Sequence, residues 1–211
     1  EEGDEEGGGG EGNADDWFDL ELMVEEYLDG DEVDVDVVMS EGRAVYGNVT
    51  DNWPTIEPYF NETGSNCPSV LPRTAQRELV ELSVGAVQCL GFSSGVFHVE
   101  CKYGKRGARL VEVNCRMGGG CVRDINLLVW GVDLVEEQLM SVVGLPLAPH
   151  ASAHPQTCIA EYCVNAKVTG VLRGDDYLAP YQGRPDVLYA IPLVEPGHKC
   201  VCVEDGLPTW V

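Results

Sequence analysis

VFHVECKYGKRGARLVEVNCRMGGG, residues 96–120, holds two alternating runs rich in β-branched residues, 96–103 and 109–114, joined by Gly104-Lys105-Arg106-Gly107. Alternation at period two on either side of a glycine-bounded turn is the signature of a β-hairpin. A hairpin centred on Arg106 sets Glu100 directly opposite Glu112 and His98 opposite Asn114. Facing like charges destabilise a sheet, so this register calls for a counter-ion, a shifted pKa in one carboxyl, or else a different register. Asn114 lies two residues beyond Glu112 on the same face, about 7 Å along the strand. With the two glutamates it makes an all-oxygen set suited to a hard divalent cation such as Mg²⁺. The plainer alternative is a pair of solvated glutamates on an exposed sheet face.

The remainder of the chain sets the company this hairpin keeps. At 211 residues it is long enough to bury a core as one domain or two small ones. No apolar run approaches the roughly 18 residues of a membrane span, and the acidic beginning lacks a secretory signal pattern; a soluble, cytoplasmic protein is the expectation. A net charge of -23 with only 13 basic residues argues against nucleic-acid and anionic-membrane partners, which need clustered Lys and Arg. Any anionic ligand must then be held through metal ions, backbone N–H groups or a few placed arginines. The nine cysteines form no C-x-x-C pair, which favours free thiols over a disulfide or zinc framework. The sequons at Asn48 and Asn61 matter only in a secreted chain and read as chance.

Residues 1–16, EEGDEEGGGGEGNADD, carry no large apolar side chain, so their composition predicts disorder. From Trp17 onward Leu20, Leu22 and Val24 alternate as a strand, Asp29-Gly30-Asp31 turns, and Val33, Val35 and Val37 alternate again with Asp34 and Asp36 between them. A turn at Glu41-Gly42-Arg43 and a strand over 44–49 complete a meander with one buried face. Four prolines in 51–72 predict a long surface loop. Ala75, Leu79, Leu82, Ala86 and Leu90 recur at helical spacing, stopped by Gly91, and predict an amphipathic helix over 74–90. After the hairpin come a flexible 116–120 loop, a short apolar segment at 125–130, and a helix signal from Asp133 and Glu136 to Gly144. Beyond a Pro-marked linker, 157–164, 168–172, 187–192 and 199–203 read as short strands, and the end at Val211 carries no terminating signal, as in a fragment.

With these residues in place, the chain resembles the ATP-grasp ligases, through recognisable motifs over 17–150 and more loosely after. The expected fold class is α+β: an antiparallel sheet with flanking helices, divided into a 1–16 linker, the C-terminal part of an ATP-grasp domain at 17–150, and a strand-rich extension at 151–211. Glu25-Glu26-Tyr27-Leu28 resembles the hinge that holds adenine, so the resemblance puts Glu25, Tyr27 and Leu28 at the nucleotide, and Glu32, seven residues after Glu25, matches the acid on the ribose hydroxyls. Glu112-Val113-Asn114-Cys115-Arg116 resembles the family's E-x-N-x-R run, whose Glu and Asn bind divalent metal, and Glu100 matches the acidic ligand on the preceding strand. Arg116 resembles the arginine that steadies an acyl phosphate or a substrate carboxylate. The resemblance implies ATP, Mg²⁺ or Mn²⁺, and ligation of small amino-acid substrates into a dipeptide, L-histidine and β-alanine being the expected pair. It leaves room for a homo-oligomer. Cys115 stands where proline is frequent in the family, and the acidic glycine tract stands where the upstream nucleotide-binding subdomain should end. The family's phosphate-covering loop and lysines lie upstream of anything in this sequence, so the chain by itself is expected to be inactive.

Each residue has an alternative. Glu25 and Glu32 can be ordinary surface acids, Arg116 a loop arginine pairing with Asp124, and His98 a satisfied sheet histidine, which keeps it out of the expected site. The competing function class is a non-catalytic nucleotide- or metal-binding module on the same fold. A calcium-binding protein ranks below both, because no EF-hand loop is present. Deleting residues 1–16 is expected to leave the thermal unfolding midpoint unchanged, and a fall of several degrees would show that they pack.

Overall fold

A computed structural model of the chain describes residues 22–174 and 176–211; the 1–16 tract and Leu20 lie outside the described residues. The chain runs β1 (Asp31–Ser40), β2 (Arg43–Asn52), β3 (Gly64–Cys67), α1 (Arg73–Cys89), β4 (Gly95–Gly104), β5 (Gly107–Asn114), α2 (Val122–Ile125) continuing as a π-helix (Asn126–Trp130), α3 (Leu134–Val142), β6 (Ile159–Tyr162) and a small β7 (Gly170–Val171) and β8 (Lys199–Cys200) pair. The first six strands form one antiparallel sheet in the order β5-β4-β1-β2-β3-β6. The architecture is α+β, as the sequence predicts, and among the described residues no helix is long and apolar enough to cross a membrane.

The alternation of β1 explains its central place. Val33, Val35 and Val37 point to one face and pack with Val49, Phe97, Val99 and Cys101 under Leu79 and Val87 of α1. Burying such side chains stabilises each by about 1.5–3 kcal/mol, and α1 forms because Ala75, Leu79, Ser83 and Val87 fall on one stripe. The lone hydroxyl on that stripe is satisfied, since Ser83 Oγ donates to the Leu79 carbonyl at 2.8 Å.

The opposite face is not the solvated face expected of a one-sided meander. There Glu32, Asp34 and Asp36 lie across from Lys102, Glu100 and His98 of β4, and Asp36, Asn126 and His98 are buried. His98 Nδ1 meets Asp36 Oδ1 at 2.8 Å, and its Nε2 stands 3.7 Å from Asp34 Oδ2. The other Asp36 oxygen accepts from Asn126 Nδ2 at 2.7 Å, while Asn126 Oδ1 accepts from the Tyr46 hydroxyl at 2.7 Å. Buried polar groups must be paired, and this chain of bonds pins the π-helix to the sheet.

Four further expectations change. Residues 22–29 are extended but unpaired, with Leu22 and Val24 more than nine-tenths exposed, because β4 rather than an earlier strand takes the free side of β1. The 51–72 stretch is not all loop: β2 runs to Asn52, and β3 bridges β2 to β6. Residues 187–192 form no strand; Leu188, Tyr189 and Ile191 are exposed, and no strand among the described residues pairs with them. Finally, the hairpin is not centred on Arg106. Gly104 faces Gly107 around a two-residue turn, and a bulge between Glu100 and Cys101 then shifts the register, so that Glu100 faces Glu112 and His98 faces Asn114 as expected. All nine cysteines are free thiols.

Burial alone would lower the pKa of His98, but the hydrogen bond and charge of Asp36 outweigh it and raise it from 6.5 to about 9. A raised folded-state pKa gives stability that is complete below pH 6.5 and lost as pH climbs through about 9. Burial raises Asp34 to about 7, only partly opposed by the imidazolium, so its contribution also declines with rising pH, between 3.8 and about 7. Urea unfolding in metal-free buffer should therefore show stability falling between pH 6.5 and 9, by on the order of 3 kcal/mol, with the fall absent in His98→Gln. Stability that stays flat across that window in the parent would contradict the charged pair.

Candidate metal and nucleotide site

The polar face gathers the metal candidates at the β4–β5 end. Because side chains alternate along a strand, the bulge leaves Glu100, Glu112 and Asn114 on the same face, with Val99 and Val113 turned to the core beneath α1. Asn114 Nδ2 reaches Glu100 Oε1 at 3.5 Å, the outer limit of a hydrogen bond, and Asn114 Oδ1 accepts from Arg116 Nη2 at 3.2 Å. Arg116 also donates to the Met117 carbonyl at 3.0 Å. The pairing of Arg116 with Asp124 is not what forms: Asp124 accepts from the Tyr189 hydroxyl at 3.0 Å instead.

Electrostatics show what this face lacks. Glu100 is half-buried, and its pKa is raised by burial first and by Glu112 next, with Glu32 and Glu62 adding and His98 opposing. Glu62 is raised as well, by burial and then by Glu161 and Glu32. Two facing carboxylates and an amide oxygen form the donor set of a hard cation, and a divalent ion would relieve the repulsion that raises Glu100. Among the described residues no group of three or more His, Cys, Asp or Glu side chains is placed to hold a metal. The set is thus a partial shell of the kind Mg²⁺ completes with water and phosphate oxygens, and the residues fit that ion.

The nucleotide candidates gather next to them, at the start of β1, where Glu32 faces Lys102 two residues before Asp34 faces Glu100. Glu32 Oε2 lies 3.5 Å from Lys102 Nζ, and the same ammonium sits 5.4 Å from the centre of the Tyr27 ring. Tyr27 donates to Glu57 Oε1 at 3.0 Å. Leu28 is half-buried and Glu25 exposed. Glu26 pairs with Arg106 of the hairpin turn at 2.8 Å. Gly30, at φ +114°, lets the segment lie against the hairpin, since a Cβ there would come within 2.5 Å of the Tyr103 carbonyl. Glu32 and Tyr27 are therefore brought together through Lys102, whereas Glu25 stands apart.

Three residues of this face, Lys102, Asp34 and Asp36, are not singled out by the sequence. Lys102 could have been found two positions beyond Glu100, on the same face of β4. Asp34 and Asp36 follow Glu32 at period two but read as solvated spacers between valines. His98 is a satisfied sheet histidine, as expected, though nothing local announces that its partners come from β1.

Comparison with known proteins gives this arrangement its context. A family model described as an ATP-grasp domain matches residues 14–124. Carnosine synthase 1 of Gallus gallus is 38% identical over 196 residues, covering 88% of this chain but 21% of its own length. Alanine–anticapsin ligase of Bacillus subtilis is 30% identical over 132 residues, 56% of this chain and 28% of its own length. This chain thus spans about a fifth to a quarter of the length of these two relatives. The crystal structure of an L-amino acid ligase from Bacillus licheniformis superposes with a TM-score of 0.75 at 21% identity, over 83% of this chain and 44% of that one. The match of the family model over more than half the chain, together with the six-stranded antiparallel sheet, places this chain in the ATP-grasp family.

Proposed function

We propose that this chain is part of an ATP-dependent carboxylate–amine ligase that forms a dipeptide, with L-histidine and β-alanine as substrates, through an acyl phosphate and with release of ADP and phosphate. The observation that carries the reading is the opposition of Glu100 and Glu112 with Asn114 one step along the same face. The likeness to carnosine synthase 1 supports the substrate pair, and the likeness to alanine–anticapsin ligase supports amino-acid ligation more broadly.

In this reading Glu100, Glu112 and Asn114 hold Mg²⁺ or Mn²⁺ against the nucleotide phosphates, and Glu32 accepts from the ribose hydroxyls. Tyr27 and Leu28 flank the base, and Glu25 lies at the rim of the hinge. The divalent ion, when bound, neutralises charge on the phosphoryl group in transfer. Arg116, tethered to Asn114 Oδ1, supplies a guanidinium beside that charge, with the bidentate geometry that suits a phosphate or a carboxylate. These groups act by position and electrostatics, the terms that dominate such transfers.

Glu112→Gln in the full-length protein is expected to cut ATP-dependent dipeptide formation on the order of a hundredfold or more, with ATP affinity changing far less. Glu112 is exposed, and removing one of two facing like charges relieves repulsion, so metal-free stability should hold or rise slightly. Near-normal turnover in the variant would remove Glu112 from the site, and a large loss of metal-free stability would make it a structural glutamate. A parent protein that binds ATP without forming product from any amino-acid pair would favour the non-catalytic module instead.

A further inference from the structure

The loop that follows Asn114 is fixed by an unusual contact. Gly118 is buried, and a Cβ on it would stand 2.8 Å from both Cε1 and Nδ1 of His98 and 2.6 Å from Val122 Cγ2. The loop backbone therefore lies directly on the imidazole ring, with the first turn of α2 closing the other side. His98 is also the cross-strand neighbour of Asn114, so one side chain borders the loop at Asn114 and again at Gly118, with Arg116 between.

The ring has little freedom in this place. Asp36 holds Nδ1 at 2.8 Å, Asp34 lies 3.7 Å from Nε2, and Asp36 is held in turn by Asn126 at 2.7 Å. Both ring nitrogens face carboxylates, Nδ1 within hydrogen-bonding distance and Nε2 beyond it. Stability is a poor reason for burying such a trio, because well-packed apolar side chains usually replace buried ion pairs at no cost or with a gain. What the trio supplies is a ring of fixed tilt, held by its hydrogen bond to Asp36 and by the charge of Asp34 beyond it.

Resting on the proposed reading of the metal site, we infer that His98 is a positioning residue for ligation: its imidazole is the seat on which the 115–120 loop rests, and it thereby sets where Arg116 and Asn114 stand relative to Glu112. Displacements of about 1 Å in such a site cost up to a hundredfold in rate, while Glu32 stands four residues along β1 from Asp36, the cross-strand neighbour of His98. The signature is a loss in kcat without a matching change in KM for ATP.

The test uses the full-length protein with two variants that attack the contact from opposite sides. His98→Ala removes the seat, and Gly118→Ala sets a methyl against the imidazole and lifts the loop while keeping the side chains of His98, Asp36 and Asn126 themselves. Both should lower kcat by about ten- to a hundredfold with KM for ATP within about twofold, a split that general destabilisation does not produce. Amide hydrogen exchange, read without nucleotide or metal, should quicken across 115–120 in both variants, and in Gly118→Ala it should remain unchanged in β1. If His98→Ala fails to fold, Gly118→Ala decides. Turnover near the parent's in Gly118→Ala, or exchange unchanged across 115–120, overturns the inference. Should Glu112→Gln leave turnover near the parent's while exchange across 115–120 still quickens in the His98 and Gly118 variants, the seat stands as a structural fact and the metal-site reading is what fails.

Discussion

The Asp36 carboxylate is the hinge-pin of this structure. It is almost wholly buried on one of the two central strands, and both of its oxygens are engaged, one by His98 of β4 and one by Asn126 of the π-helix. A buried carboxylate without partners costs several kcal/mol, so once Asp36 occupies that position β4 must bring its histidine and the helix its amide. Those two demands fix how β4 and the segment after β5 lie on the polar face. The apolar face under α1 supplies the bulk of the favourable burial; the polar face supplies the single arrangement of elements.

Much of this was readable from residue order. Period-two alternation located β1, β2 and the hairpin, helical spacing located α1, and Asp133 caps α3 with its side chain accepting from Val135 N. The facing of Glu100 and Glu112 was legible because side-chain direction in a strand follows parity. The buried network was not legible, because Asp36, His98 and Asn126 come from three elements far apart in sequence, and each taken singly looks like a polar residue at a solvent-facing position. β3 was missed for a different reason. Its sequence, Gly-Ser-Asn-Cys, has almost no strand preference, and it is a strand only because β2 and β6 present free edges to it. Residues 187–192 are the converse: an apolar run rich in strand-favouring residues, and no edge to join.

Charge runs through the whole account. The chain has 36 acidic against 13 basic residues, and the polar face concentrates the excess, with Glu32, Asp34, Glu62, Glu100 and Glu112 acting on one another. Lys102 and His98 are the cations set among them on β4. A surface with this imbalance repels phosphate at long range. In the ligase reading, nucleotide binding and metal binding are therefore one coupled event, the ion reversing a field that the side chains alone would set against the ligand.

The bulge beside Glu100 bears on how sequences of this kind are to be aligned. Between the turn and Glu112 the hairpin carries one residue more than a regular ladder needs, because in the register set by Gly104 and Gly107 the position facing Glu100 would be 111, and the irregularity hands that place to Glu112. A chain lacking Val111 would close the same hairpin without a bulge and still bring the glutamate opposite Glu100, on the same face, since dropping one residue and losing one bulge leave the parity unchanged. A one-residue gap here is thus neutral for the pair. The same gap between Glu112 and Asn114 would turn the asparagine to the other side of the sheet.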